Sequence, residues 1–360
     1  MKKIITMDQR QSEIIEFLRF PLIVLVVYVH MLPFEQQPIL FELNIRNMYV
    51  LISELISHHI GRIAVPCFFL FSGYFFFLKI TTWSNRLYFD NLKKRYQTLL
   101  IPYILWNSIL IIAILAKNTL FVALDLPTDE SYAQFSHVSL YDLFWGMPVN
   151  FPLWYLRDLI AMTIISPLFF YFFKHLKIYG LLILAVFYLS VFESGLPGLS
   201  STAIFFFGAG AYLGLHKQNM LQLSMRYGKR SFYIAIVCLM IATYYTAMPQ
   251  NEYWIRFYAL FAAASILYVG NRLISFKRLR ELVLPLAQTA FFIYAIHLIY
   301  ILNWLKGGLR KSLNFLPDFF LIVGYFLVPI ICVLVISVIY SMMKRYLPKT
   351  LSVLTGNRAK

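Results

Sequence analysis

The chain is 360 residues long, 60% hydrophobic and only 13% charged, with a mean hydropathy of +0.70. That balance excludes an ordinary soluble domain, and continuous apolar runs of about 20 residues point to spanning helices, not to the short alternating strands of a barrel. The net charge of +16 raises nucleic acid as a partner, but its distribution assigns it to membrane topology instead.

Ten apolar runs read as spans, at 14–33, 60–79, 97–116, 154–173, 179–193, 200–216, 231–248, 254–271, 285–304 and 318–343. The first run has no small-residue cleavage site, and Glu35 and Pro38 follow it, so it reads as a retained helix and not a signal peptide. No period of 20–50 residues repeats, so the expectation is a single membrane-embedded domain over residues 1–360. The fold class expected is all-α: a polytopic integral membrane protein of about ten transmembrane helices. Cys67, Cys238 and Cys332 all fall inside apolar runs without metal or redox spacing, and read as packing residues.

Placing both termini in the cytoplasm puts 24 of the 32 Lys and Arg residues in inner segments and 5 in outer loops. This bias favours an even number of spans with both ends inside. The longest loop, 117–153, then lies outside. Its acids (Asp125, Asp129, Glu130, Asp142) and aromatics (Tyr132, Tyr141, Trp145) suit contact with sugar rings and hydroxyls, or an interfacial belt.

Polar residues inside the spans are the candidate site, because ionisable groups at membrane depth are costly. Arg19 and His30 are eleven residues apart on the first span, hence on one side of a helix and roughly 16 Å apart along its axis. Pro21 removes one helix hydrogen bond between them. His58 and His59 read as interfacial, just before Arg62 enters the second span. Trp154, Arg157 and Asp158 open the fourth. Arg157 and Asp158 are adjacent, project about 100° apart and need not pair. His297 lies about twelve residues into the ninth run. Lys93, Lys94 and Arg95 precede the third span at the inner side, beside Arg19. The polar groups therefore divide into a basic inner mouth suited to phosphates and an outer cluster of His, Arg and Asp.

These motifs, in this order, resemble the acyltransferase-3 family of integral-membrane acyltransferases. Arg19-x10-His30 resembles its first-helix signature. Phe68-Phe69-x-x-Ser72-Gly73 resembles its second-helix stretch. Lys94-Arg95 with Leu100-Ile-Pro-Tyr103 resembles the basic motif before helix three. Leu153-Trp-Tyr-Leu-Arg-Asp158, the glycine-bearing Ser201–Gly214 helix and Tyr294-x-x-His297 resemble later motifs. The chain departs from the family pattern at Phe20-Pro21, where Gly or Ala often follows the arginine, and at Leu92, where Arg often stands.

The resemblance implies transfer of an acyl group, usually acetyl, from cytoplasmic acyl-CoA to a hydroxyl of an extracytoplasmic glycan or lipid-linked acceptor. It implies no permanently bound cofactor or metal, membrane lipid as surroundings, and no nucleic acid. On that reading the catalytic residues are His30, Arg19 and His297, with His30 the general base and His297 orienting or assisting. Arg19, Arg95 and Lys94 bind the donor phosphates. Arg62, Arg157, Asp158 and Trp154 face the acceptor or the oxyanion. A multi-span chain without disulfides fits the bacterial inner membrane. The rival readings are a transporter or flippase relaying protons through His30 and His297, and a structural partner in a glycan-export complex.

Overall fold

The computed structural model describes residues 6–33, 35–126, 138–313 and 317–358; Asp129, Glu130 and Tyr132 of the long loop lie outside these. Among the described residues the chain is helical, with no strand. Among the described residues six stretches are long and apolar enough to cross a membrane: Ile45–Phe77, Asn85–Ala123, Ser166–Leu189, Asn251–Leu273, Lys277–Ile296 and Phe319–Tyr346. The Ser201–Leu215 helix is apolar but shorter.

Helix α1 (Met7–Val29) starts at a capping box. The Gln9 amide donates to the Thr6 hydroxyl, and the Thr6 amide to the Gln9 side chain, so two donors otherwise orphaned are satisfied. Pro21 does not end the helix. Helix α1 packs against most of the bundle: α3 (Ala64–Phe77), α9 (Met220–Tyr244), α10 (Asn251–Leu273), α11 (Lys277–Leu286), α12 (Ala290–Ile296) and α14 (Phe319–Tyr346).

Polar ties define the two ends of the bundle. At the start of α1, Arg10 donates to Asn271 at 3.1 Å, Asn219 to Asp8 at 2.7 Å, and Arg280 pairs with Glu13. This is the basic end. At the other end, Lys306 of α13 (Ile301–Leu313) donates to the His30 carbonyl at 2.8 Å. Gln36 donates to the Asn251 side chain at 3.2 Å. This is the histidine end.

The second span is longer than its hydropathy indicates. It begins with α2 (Ile45–Ser53), widens into a π-helical stretch at Glu54–His59, tightens into a 3₁₀ turn at Ile60–Ile63, and continues as α3. Irregular turns of this kind re-aim side chains and recur at functional sites. A second π stretch, Tyr96–Leu100, joins α4 (Asn85–Arg95) to α5 (Ile101–Ala123).

The fourth run, 154–173, covers α6 (Trp154–Ile164) and the first part of α7 (Ser166–Leu189), and the fifth falls on the rest of α7. Lys177, at φ 48°, breaks α7 internally. The break turns the chain back, since a Cβ on Gly180 would touch the Phe172 ring at 2.8 Å, a distance that eight residues of straight helix, about 12 Å, forbid.

The ninth run, read as one helix over 285–304, is interrupted. Helix α12 ends at Ile296, a tight turn with Tyr300 at φ 63° follows, and α13 begins at Ile301. His297 is therefore the residue that caps a helix, not one inside it. Hydropathy averages over such a turn because its residues are themselves apolar.

The glycine-bearing motifs are packing devices. Helices α3 and α8 (Ser201–Leu215) meet at backbone distance. A Cβ on Gly73 would lie 2.1 Å from the Phe207 carbonyl oxygen, and one on Gly210 would lie 2.1 Å from that of Leu70. Only residues without a side chain allow two helices this close.

Candidate active site

A cavity of about 340 Å³ lies at the histidine end, lined by His30, Ser57, His58, Arg62, Trp154 and Tyr155 among others. His30 caps the C-terminus of α1 and is partly buried. Its ring centroid is 5.2 Å from that of His297. His297 is completely buried. Its Nδ1 faces the carbonyl oxygens of Ile293 (3.1 Å) and Tyr294 (2.9 Å). Carbonyls only accept, so Nδ1 carries the proton and Nε2 keeps its lone pair. That Nε2 is buried and has no hydrogen-bond partner among the described residues. Asn150 fixes this corner: it donates to the Ala295 carbonyl at 2.9 Å, while its own amide donates to Asn107 of α5 at 3.0 Å.

His58 and His59 are buried in the protein, 5% and 0% exposed. The π stretch turns both inward. His58 Nε2 donates to the Pro33 carbonyl at 2.9 Å, and Nδ1 meets Glu54 Oε2 at 2.6 Å. A single proton between Nδ1 and the carboxylate satisfies both, so neither ring nitrogen is left to act as a base. The other Glu54 oxygen accepts the Gln37 amide at 2.8 Å. His59 donates through Nδ1 to the Glu54 carbonyl (2.8 Å) and accepts from Asn251 (3.1 Å) through Nε2, which makes it a link between helices.

A chain of ion pairs starts at Arg62 and Glu252 on the cavity wall and runs inward. Arg62 pairs with Glu252 at 2.7 Å, Glu252 with Arg256 at 3.1 Å, and Arg256 with Glu193 at 2.7 Å. Arg256 also donates to the Ser201 hydroxyl at 2.9 Å. Trp154 lines the cavity, whereas Arg157 and Asp158 do not. The two are paired after all: Nε and Nη2 of Arg157 donate to Asp158 Oδ1 at 3.0 and 2.9 Å. Nη1 donates to the carbonyls of Trp145 and Gly146. The long guanidinium arm bends back over the 100° separation. Asp158, wholly buried, also accepts from Ser200 at 2.6 Å. This pair braces α6, the 145–146 segment and the start of α8.

Arg19 and Arg95 lie toward the basic end. The Arg95 guanidinium stands 5.7 Å from the centre of the Phe76 ring. Lys94, one position earlier, is exposed. Two residues that the motifs did not single out complete the region. Tyr155 lines the histidine cavity and also lies within electrostatic reach of Arg19, Arg95 and Arg358. Arg358 follows α15 (Pro348–Leu354), and its guanidinium stacks on Phe291 at 4.2 Å. Tyr155 thus stands where the two polar regions meet. The acid–histidine pair Glu54/His58 had a legible signal, its i,i+4 spacing; Arg358 had none.

The family described as "Acyltransferase domain", acyltransferase type 3, matches residues 13–341. The chain is also similar to the succinoglycan biosynthesis protein ExoH of Rhizobium meliloti (strain 1021), at 27% identity over 98% of this chain and 94% of that protein. No solved structure matches.

Proposed function

The chain belongs to the acyltransferase-3 family, and from that premise we propose that it transfers an acyl group, acetyl in the first instance, from acyl-CoA to a hydroxyl of a glycan or glycan lipid. Membership makes it a membrane acyltransferase. The glycan acceptor is supported by similarity to a succinoglycan biosynthesis protein. The proposed topology is ten passes in a bacterial inner membrane with the basic end in the cytoplasm. It is supported by the ties at the two ends and the turn at Lys177, along with the cytoplasmic excess of Lys and Arg.

The observation that carries the reading is His30, at the end of the helix that bears Arg19 and at the wall of a cavity, with the buried His297 ring 5.2 Å behind it. The acceptor enters from the histidine end, with Trp154 as an apolar wall for its ring. An imidazole nitrogen of His30 takes the hydroxyl proton as the oxygen bonds to the thioester carbonyl carbon. The carbonyl electron pair moves onto oxygen. Arg62, which uses one terminal nitrogen on Glu252, offers further N–H groups to that oxyanion. Collapse breaks the C–S bond, and the proton passes from His30 to the departing CoA sulfur. His297, its tautomer set by the two carbonyls, orients the acceptor or supports His30. Arg19 and Arg95 hold the donor phosphates, and the pantetheine arm runs past Tyr155.

The test is acyl transfer by purified protein in detergent or proteoliposomes, followed as CoA release and acylated glycan. CoA release that depends on acceptor is expected. Acceptor translocation without acyl-CoA consumption refutes the enzyme in favour of a flippase.

A further inference from the structure

The stretch after α15 is docked firmly against the bundle. The Trp106 indole donates to the Leu354 carbonyl at 3.0 Å. Thr355 is 1% exposed, and its hydroxyl donates to the Leu351 carbonyl at 2.8 Å. Gly356 has φ +62°, and a Cβ there would come within 2.4 Å of the Thr98 carbonyl oxygen, so the chain lies directly on the π stretch that follows Arg95. Ser352 donates to Asn357 at 2.8 Å, and Arg358 Nη1 to the Thr355 carbonyl at 2.9 Å. These contacts aim Arg358 over Phe291 and toward Arg95, Arg19 and Tyr155.

Three guanidiniums are gathered there, and among the described residues no carboxylate pairs with any of them. Of the nearby acids, Glu13 holds Arg10 and Arg280, Asp158 holds Arg157, and Glu16, one turn before Arg19, makes no ion pair among the described residues. Arg358 and Arg19 keep exposed surface and Arg95 is partly exposed, so an anion can reach them. Burial, then the nearby Arg95 and Arg19 charges, push Arg358 down to about 10, which leaves it cationic at neutral pH. Like charges held together without acids repel, and the arrangement is stable when an anion completes it.

We propose that Arg358 is the third cation of the donor site and binds a phosphate of acyl-CoA together with Arg19 and Arg95. The segment over 351–358 is then a wall of the donor site, and transfer depends on its docking. The inference rests on the proposed acyl-CoA donor.

The experiment compares acyl-CoA with the S-acyl-pantetheine that lacks every phosphate, in neutral detergent, for wild type, Arg358→Gln, Arg358→Ala and Arg19→Ala. Loss of one charge-assisted contact should raise the KM for acyl-CoA about ten- to hundredfold, with turnover on acyl-pantetheine unchanged. Arg358→Gln keeps a donor for the Thr355 carbonyl, so a folding effect of Arg358→Ala does not confuse the result. Equal losses on both donors identify a structural residue and overturn the inference. So does an unchanged KM in Arg358→Gln beside a raised one in Arg19→Ala. A lipid headgroup offers the same phosphate chemistry. If the variant loses activation by phosphatidylglycerol but keeps its KM for acyl-CoA, the anion is lipid and the donor assignment falls. If wild type neither binds CoA nor prefers acyl-CoA to acyl-pantetheine, the proposed function itself fails.

Discussion

Replacing His30 and His297 in turn separates catalysis from packing. His30 caps α1 and is only partly buried. Its backbone carbonyl, which anchors Lys306, survives any side-chain change. His30→Gln should therefore cost about 1 kcal/mol of stability or less. A positioned base contributes about 10²–10⁴-fold, so turnover should fall by that factor, about 3–5 kcal/mol in barrier, with little change in KM for acyl-CoA. His297 is fully buried, with Nδ1 on two carbonyls. The Ile293 carbonyl keeps the backbone N–H of residue 297, but the Tyr294 carbonyl loses its side-chain donor, at about 1–3 kcal/mol, so His297→Ala should lower both thermal stability and turnover. The assay is acceptor-dependent CoA release, with melting followed in the same detergent. Near-normal turnover in stably folded His30→Gln refutes the base assignment. Equal destabilisation by both variants refutes the division of labour.

Arg19→Lys should raise the KM for acyl-CoA several-fold, because lysine lacks the planar fork that binds phosphate; unchanged CoA affinity by calorimetry removes Arg19 from the donor site. Arg157→Ala should act on folding, since it leaves Asp158 buried and unpaired, at about 3–5 kcal/mol; a stable variant with lowered turnover alone contradicts the bracing role. Gly73→Val should prevent α3 and α8 from meeting, seen as loss of folded protein on size-exclusion chromatography; a monodisperse, active variant disproves the close approach. Single cysteines at Tyr141 should react with an impermeant thiol reagent from outside the cell, and those at Asp90 and Arg278 only from inside; the reverse pattern overturns the orientation.

Much of the architecture is written locally. Apolar run length and the distribution of Lys and Arg indicate a helical membrane protein, because burial in lipid and translocation act on each segment by itself. The helical repeat alone puts Arg19 and His30 on one side of α1, and the ordered motifs carry the family. Hydropathy starts the second span at residue 60 and not at Ile45, because Glu54, His58 and His59 lower the hydropathy of a stretch whose polar groups satisfy one another in three dimensions. The helix break that follows His297 is hidden for the opposite reason, since Leu298 and Ile299 of its turn are apolar.

Only the packing of distant helices decided the rest. Arg157 turned from a candidate oxyanion donor into a brace when Trp145, Gly146 and Ser200 supplied its surroundings. Arg62 found Glu252, 190 positions away. Arg358, an ordinary basic residue by sequence, came to face Arg19 from the far end of the chain. Sequence fixes what each helix can bury, but the partner of a polar side chain depends on which helices touch and at what rotation. That is set by the sum of the contacts, down to the absence of a Cβ at Gly73 and Gly210.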